Sequence, residues 1–241
     1  MDRASPTTPH VTSMTWRDGL FIHWPVDPDA LRPHIPDQLT LEAWDGRAWL
    51  GVLPFVLTNV GVRGTPSITR LAFGELNVRT YVRYRGHPGL FFFSIDVGNA
   101  FVAATVGRAT RLPVYRARMQ VGATQANHVA FHSERQAGET ANDVPARFDA
   151  TYHPDGEVVT ADAGTLAHWL TARRRFYAPD AGTVLTGEIA HDPWPLQPAT
   201  ATIHENTMLS ANDLPTPTGD PLVHYADEVS MAGSVPRRLE H

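Results

Sequence analysis

The chain has 241 residues, an apolar fraction of 42 % and a formal net charge of -5, which suits one large domain with a sizeable core. It has no cysteine, which excludes disulfides, thiolate nucleophiles and thiolate metal sites. All 20 residues of the Lys/Arg class are arginine, so no side-chain amine can form an imine with a carbonyl compound.

Residues 1 to 13, rich in Ser, Thr and Pro, are expected to be a flexible tail without a signal-peptide core. Trp16 to Val26 reads as a first strand closed by Pro25 and Asp27-Pro28, and Asp27 to Pro36 as a short helix. Leu41 to Trp44, Asp45-Gly46 and Arg47 to Val60 form a hairpin signal, with Pro54 marking a bulge or an edge. A loop at 61 to 73 precedes strands at 75 to 85 and 90 to 97, joined by the turn Gly86-His87-Pro88-Gly89. Asn99 to Thr110 reads as a capped helix stopped by Pro113. Strands follow in VYRARMQV, HVAFHSER and ARFDATYH. Asp162 to Phe176 carries the clearest helix signal, with Leu166, Trp169 and Leu170 on one face, and Arg173-Arg174-Arg175 reads as its solvated end. GTVLTGEIAH is a strand, and HDPWPLQPAT an irregular segment. Leu239 to His241 resembles the start of a vector tag. The expectation is a single mostly β domain over 14 to 236, whose sheet closes or layers to hide its edges.

The polar chemistry concentrates in Glu75-Leu76-Asn77-Val78-Arg79-Thr80-Tyr81-Val82. Strand alternation puts Glu75, Asn77, Arg79 and Tyr81 on one face. The next strand is partly apolar on both faces, with Phe91, Phe93 and Ile95 on one side and Phe92, Ser94 and Asp96 on the other. It is therefore central, and its neighbour's polar face is expected to be covered too. A covered Arg79 needs a carboxylate, with Asp96 and Glu134 as candidates, or a bound anion. The alternative is a solvated face over a core face.

His23, between aromatic residues, and His191, in His191-Asp192-Pro193-Trp194-Pro195, read either as satisfied semi-buried groups or as pocket-lining ones. His128 and His132 would stand about 13 Å apart in a strand, and no HExxH occurs, so no metal site is expected. Phosphate-loop motifs are absent and no cofactor is expected. An acidic total with dispersed arginines argues against nucleic acid, and no apolar run nears the roughly 18 residues of a membrane span. A cytoplasmic protein is expected, its oligomeric state open.

Several segments together resemble the domain of unknown function 2071 family: HWPVDPDALRPHIPDQLTLEAWDGRAWLGVLPF, FGELNVRTYVR, HPGLFFFSIDV, RLPVY and HDPWPL. The resemblance runs from about Trp16 to Leu196. It implies a fold similar to acetoacetate decarboxylase, a curved antiparallel sheet closing into a cone-like barrel around a cavity, with the Glu75 face inside. In that decarboxylase a reactive lysine follows a proline shortly after a Gly-Arg-Glu segment. The comparable stretch here is Gly107 to Tyr115, where the lysine falls on Val114, its lysine neighbour on Tyr115 and the glutamate on Ala109.

Two functions remain open beside that of a structural or interaction protein whose cavity is vestigial. One is a lysine-independent enzyme acting on a small polar or anionic carbonyl or carboxylate compound by hydration, dehydration or cyclisation. In it Arg79 or Arg108 grips the anion, Glu75 is acid or base, and Tyr81, Tyr115 or His23 assists. Asn77, Asp96, His191 and Trp194 line the site. The other is a binding or sensing protein with the same cavity and no turnover.

Overall fold

The alternating apolar segments form thirteen strands and four short helices in a computed structural model that describes residues 9–125, 128–136, 144–180 and 182–239. The strands are β1 (His10–Val26), β2 (Thr40–Leu41), β3 (Ala48–Val62), β4 (Leu71–Tyr84), β5 (His87–Val97), β6 (Val114–Gln125), β7 (His128–Arg135), β8 (Arg147–Pro154), β9 (Arg175–Asp180), β10 (Thr183–His191), β11 (Leu196–Asn206), β12 (Leu222–Ser234) and β13 (Arg237–Leu239). The helices are α1 (Pro28–Leu31), α2 (Ala100–Thr110), α3 (Leu166–Thr171) and α4 (Met208–Ala211).

All thirteen strands join one sheet in the order β13-β10-β9-β5-β6-β7-β8-β11-β12-β1-β3-β4-β2, with extra pairings of β4 to β5 and β10 to β12. Those two pairings close the sheet into two rings that share β12, β1, β3, β4 and β5. The first ring is completed by β6, β7, β8 and β11, the second by β9 and β10. Ring closure removes exposed edges, as expected of a mostly β chain.

Because the shared wall has two faces, alternation sends its residues into two different interiors. Leu20 and Ile22 of β1, Leu50 and Val52 of β3, and Leu76 and Val78 of β4 pack in the first core with Phe131, Phe148 and Tyr152. Phe21, Leu53, Phe55, Tyr81 and Phe92 pack in the second, with Leu170 of α3, Phe176 of β9 and Trp194. This is why the β5 sequence is apolar on both sides.

Several local expectations change. Residues 1–8 lie outside the described residues, but His10, Thr12 and Ser13 already pair with Ser234, Gly233 and Ala232 in β1. Leu239 is a sheet residue paired with Val184, while 240 and 241 lie outside the described residues. The Asp45-Gly46 turn forms with both residues at positive φ (49° and 73°), bridging Trp44 to Arg47. Its first arm is not a long strand, however: Thr40 and Leu41 pair with β4 instead. Pro54 sits where the β1–β3 register breaks between Arg17 and Ile22, the bulge its missing N–H suggests.

The helix expected over 162 to 176 stops at Thr171. Phe176 belongs to β9, opposite Gly187, where a Cβ would stand 2.3 Å from the Phe176 ring. That close packing of Phe176 on Gly187 favours strand over a longer helix. Arg173 is likewise no solvated helix end. It is 7 % exposed and pairs with Glu42 at 2.6 Å. The proline-ridged segment after His191 is irregular only as far as Pro195, after which β11 begins.

Candidate functional site

The second interior collects several buried polar groups. His23 on β1, Gly51 on β3 and Arg79 on β4 stand side by side in the register of three neighbouring strands. Gly51 keeps the row open: a Cβ there would meet His23 Cδ2 at 3.1 Å and Nε2 at 3.3 Å. Without a side chain between them, the imidazole and the guanidinium occupy one space.

His23 is fully buried and Arg79 is 7 % exposed. Tyr81, two residues along the same face of β4, places its hydroxyl 2.7 Å from His23 Nε2 and 2.9 Å from the Leu170 carbonyl. The Arg79 guanidinium lies near enough to act electrostatically on the Tyr81 phenol, and stands 5.9 Å from the Phe21 ring centroid. Trp169 and Arg173 flank the Tyr81 ring at 4.7 Å and 5.4 Å. Aromatic packing continues through Trp194, edge-on to Phe21 at 5.0 Å, with its indole N–H donated to the Thr171 carbonyl at 3.0 Å. His191 lies 4.8 Å from Trp194.

Electrostatics follow from this burial. Burial holds the His23 imidazole well below its usual pKa, and the positive Arg79 and the neighbouring His224 add to the effect. Burial likewise lowers His191, with Arg174 and Arg79 contributing. Burial pushes the Tyr81 phenol up, partly offset by Arg79. Glu75, half-buried at the other end of the β4 face, is pushed up to about 7 by burial, against a hydrogen bond from Asn77.

Arg79 makes no ion pair with a carboxylate among the described residues. Asp96 is taken by Arg135 at 2.7 Å and Glu134 by Arg147 at 2.9 Å. Glu42 is taken by Arg83 and Arg173. Arg79 Nε, His23 Nδ1 and Asn77 Oδ1 are buried without a hydrogen-bond partner. Buried polar atoms are normally paired, so three on one face of one interior mark a place built for something else.

Of the residues singled out in the sequence, His23, Asn77, Arg79, Tyr81, Glu75 and Trp194 face this interior, and His191 adjoins it. The others do not join them. Asp96 faces the first ring. Tyr115 stacks on Arg135, its centroid 4.0 Å from the guanidinium carbon, because β6 alternation turns it away from Val114. Arg108 is exposed on the last turn of α2. Val114 packs against the second core. Arg173 and His224 escaped the sequence reading. A lone Glu42 in LEAW gave no sign of an ion pair with a residue more than a hundred positions on. A cleft of about 620 Å³ lies elsewhere, lined by Asp18, Phe73, Met119, Tyr225 and Asp227 among others. Among the described residues no group of three or more His, Asp or Glu is placed to hold a metal. Nor is any helix there long and apolar enough to cross a membrane.

This doubly ringed sheet is similar in fold to solved acetoacetate decarboxylase-like structures. The enduracididine biosynthesis enzyme MppR complexed with pyruvate superposes with a TM-score of 0.65 at 15 % identity, covering 99 % of this chain and 93 % of that one. An acetoacetate decarboxylase gives 0.61 at 15 %, over 98 % and 92 %. An acetoacetate decarboxylase-like enzyme from Sphingomonas wittichii RW1 gives 0.61 at 13 %, over 100 % and 99 %. At such identities the likeness is one of fold. The chain itself belongs to the domain of unknown function 2071 family, described as an uncharacterized conserved protein, which it matches over residues 13–230. It is 39 % identical over 217 residues to the uncharacterized protein YqjF of Bacillus subtilis strain 168, covering 90 % of this chain and 87 % of that protein.

Proposed function

We propose that this protein binds a small carboxylate inside the second ring and acts on it by acid–base chemistry without an imine step. The observation that carries the reading is Arg79. A guanidinium stays charged in a protein, and a buried charge without a counter-charge is costly. The groups around Arg79 are neutral or aromatic, so the counter-charge is supplied by the ligand. A guanidinium matches a carboxylate in a two-point fashion.

Glu75 is the acid or base. A carboxyl titrating at about 7 exchanges a proton readily near neutrality. It lies about 13 Å along β4 from Arg79, so a small acid reaches both only with the two long side chains leaning toward each other. Tyr81, held by His23 and Leu170, assists at the Arg79 end. Val114 stands at the position where the resemblance puts the decarboxylase lysine. An apolar residue packed there leaves hydration, dehydration or cyclisation as the fitting reaction classes. The pyruvate complex of MppR supports a small oxygenated acid as the ligand class for this fold.

Isothermal titration of the whole protein with pyruvate and acetoacetate, against Arg79→Leu, tests the reading. The proposal expects saturable binding that the variant loses. Binding that survives in Arg79→Leu contradicts it. Product analysis of the same mixtures separates turnover from binding alone.

A further inference from the structure

The proton arrangement around His23 says more about the ligand, granted that Arg79 grips its carboxylate. The Tyr81 hydroxyl has one proton and two hydrogen-bonded neighbours: the Leu170 carbonyl at 2.9 Å and His23 Nε2 at 2.7 Å. The carbonyl only accepts. The hydroxyl proton therefore goes to Leu170. The hydroxyl oxygen then accepts from His23, so Nε2 carries the imidazole proton. A neutral imidazole protonated at Nε2 has a bare lone pair at Nδ1. That atom is buried and without a partner.

Asn77 repeats the pattern. Its Oδ1 is also buried and unpartnered, and an amide carbonyl oxygen only accepts. Besides the unpartnered donors Trp16 Nε1, Trp49 Nε1 and Arg173 Nη2, whose guanidinium already pairs with Glu42, the interior presents one cationic donor without a carboxylate, Arg79 Nε, and two neutral acceptors, His23 Nδ1 and Asn77 Oδ1. A plain carboxylate or a keto acid answers only the first.

We infer that the ligand is a hydroxycarboxylate: an anionic group for Arg79 with at least one hydroxyl that donates to His23 Nδ1 or Asn77 Oδ1. An ammonium would also donate, but it would add positive charge beside Arg79, whose own charge no carboxylate of the described residues offsets. A hydroxyl supplies the proton without the charge. Sites built around buried hydrogen-bonding groups discriminate strongly against analogues that leave those groups unpaired.

The test compares four acids of similar size on the intact protein: butyrate, acetoacetate, 3-hydroxybutyrate and 3-aminobutyrate. The inference expects 3-hydroxybutyrate to bind about tenfold or more tightly than the other three. Asn77→Leu and His23→Leu should bring that ratio toward one. Equal affinity for 3-hydroxybutyrate and butyrate, or a preference for acetoacetate, overturns the inference. If those acids still depend on Arg79, the anion-binding reading survives that result. If no acid binds, both fall. Nitrogen-15 NMR of the unmodified protein needs no variant to fold. It should show His23 protonated at Nε2 and bare at Nδ1 in the neutral form. The opposite tautomer overturns the inference.

Discussion

Asp96 is held by Arg135 at 2.7 Å with both side chains buried, and this pair is why Arg79 goes without it. β5 alternation points Asp96 into the first ring, and the Arg135 guanidinium is sealed by the Tyr115 ring at 4.0 Å. Breaking a buried pair leaves an uncompensated charge. Arg135→Leu should therefore cost about 3–5 kcal/mol in urea unfolding. It should leave ligand affinity at Arg79 unchanged once the variant is folded. A loss below about 1 kcal/mol would mean that the pair is not an essential part of the first core.

The absence of lysine makes a chemical prediction. Borohydride added with acetoacetate should leave no adduct on any internal residue, because only the chain's α-amino group could form the imine. Peptide mass mapping reads this directly. A mass increase on an internal peptide would contradict the lysine-independent route.

Glu75 should make stability depend on pH in a known direction. Its folded-state pKa stands above the unfolded one, so the folded chain holds an extra proton between about 4.5 and about 7. Stability then falls as pH rises through that window. Glu75→Gln stays neutral throughout. The variant should match the parent near pH 4 and exceed it by about 2–3 kcal/mol at pH 8, less where water screens the half-buried carboxylate. Denaturant unfolding at both pH values checks this, and a constant difference would place Glu75 in solvent.

Much of the site was legible along β4, because period-two alternation alone puts Glu75, Asn77, Arg79 and Tyr81 on one face. The apolar character of both faces of β5 indicated that this face is covered. Which interior each side chain enters depends on ring closure, and that is set by pairings between distant strands such as β10 with β12. This is why Asp96 looked like a partner for Arg79 and is not. Tyr115 and Arg108 rested on a short similarity around Pro113, and one residue of alternation separates Tyr115 from Val114. Arg173 sits in a run of three arginines, which reads as a solvated end. Its burial depends on Glu42, whose place opposite α3 no local pattern reveals.

Among the described residues no carboxylate neutralises Arg79, and in the proposed reading its counter-charge arrives with the ligand. Urea unfolding of the parent and of Arg79→Leu, each with and without saturating acetoacetate, tests this most directly. Leucine fits an aromatic-lined interior, so the ligand-free variant should be at least as stable as the parent. Ligand at 100 times its Kd should stabilise the parent by about 2.7 kcal/mol and the variant not at all. A loss of about 3–5 kcal/mol in the ligand-free variant would contradict the account, because it would reveal a buried carboxylate left behind when Arg79 is removed.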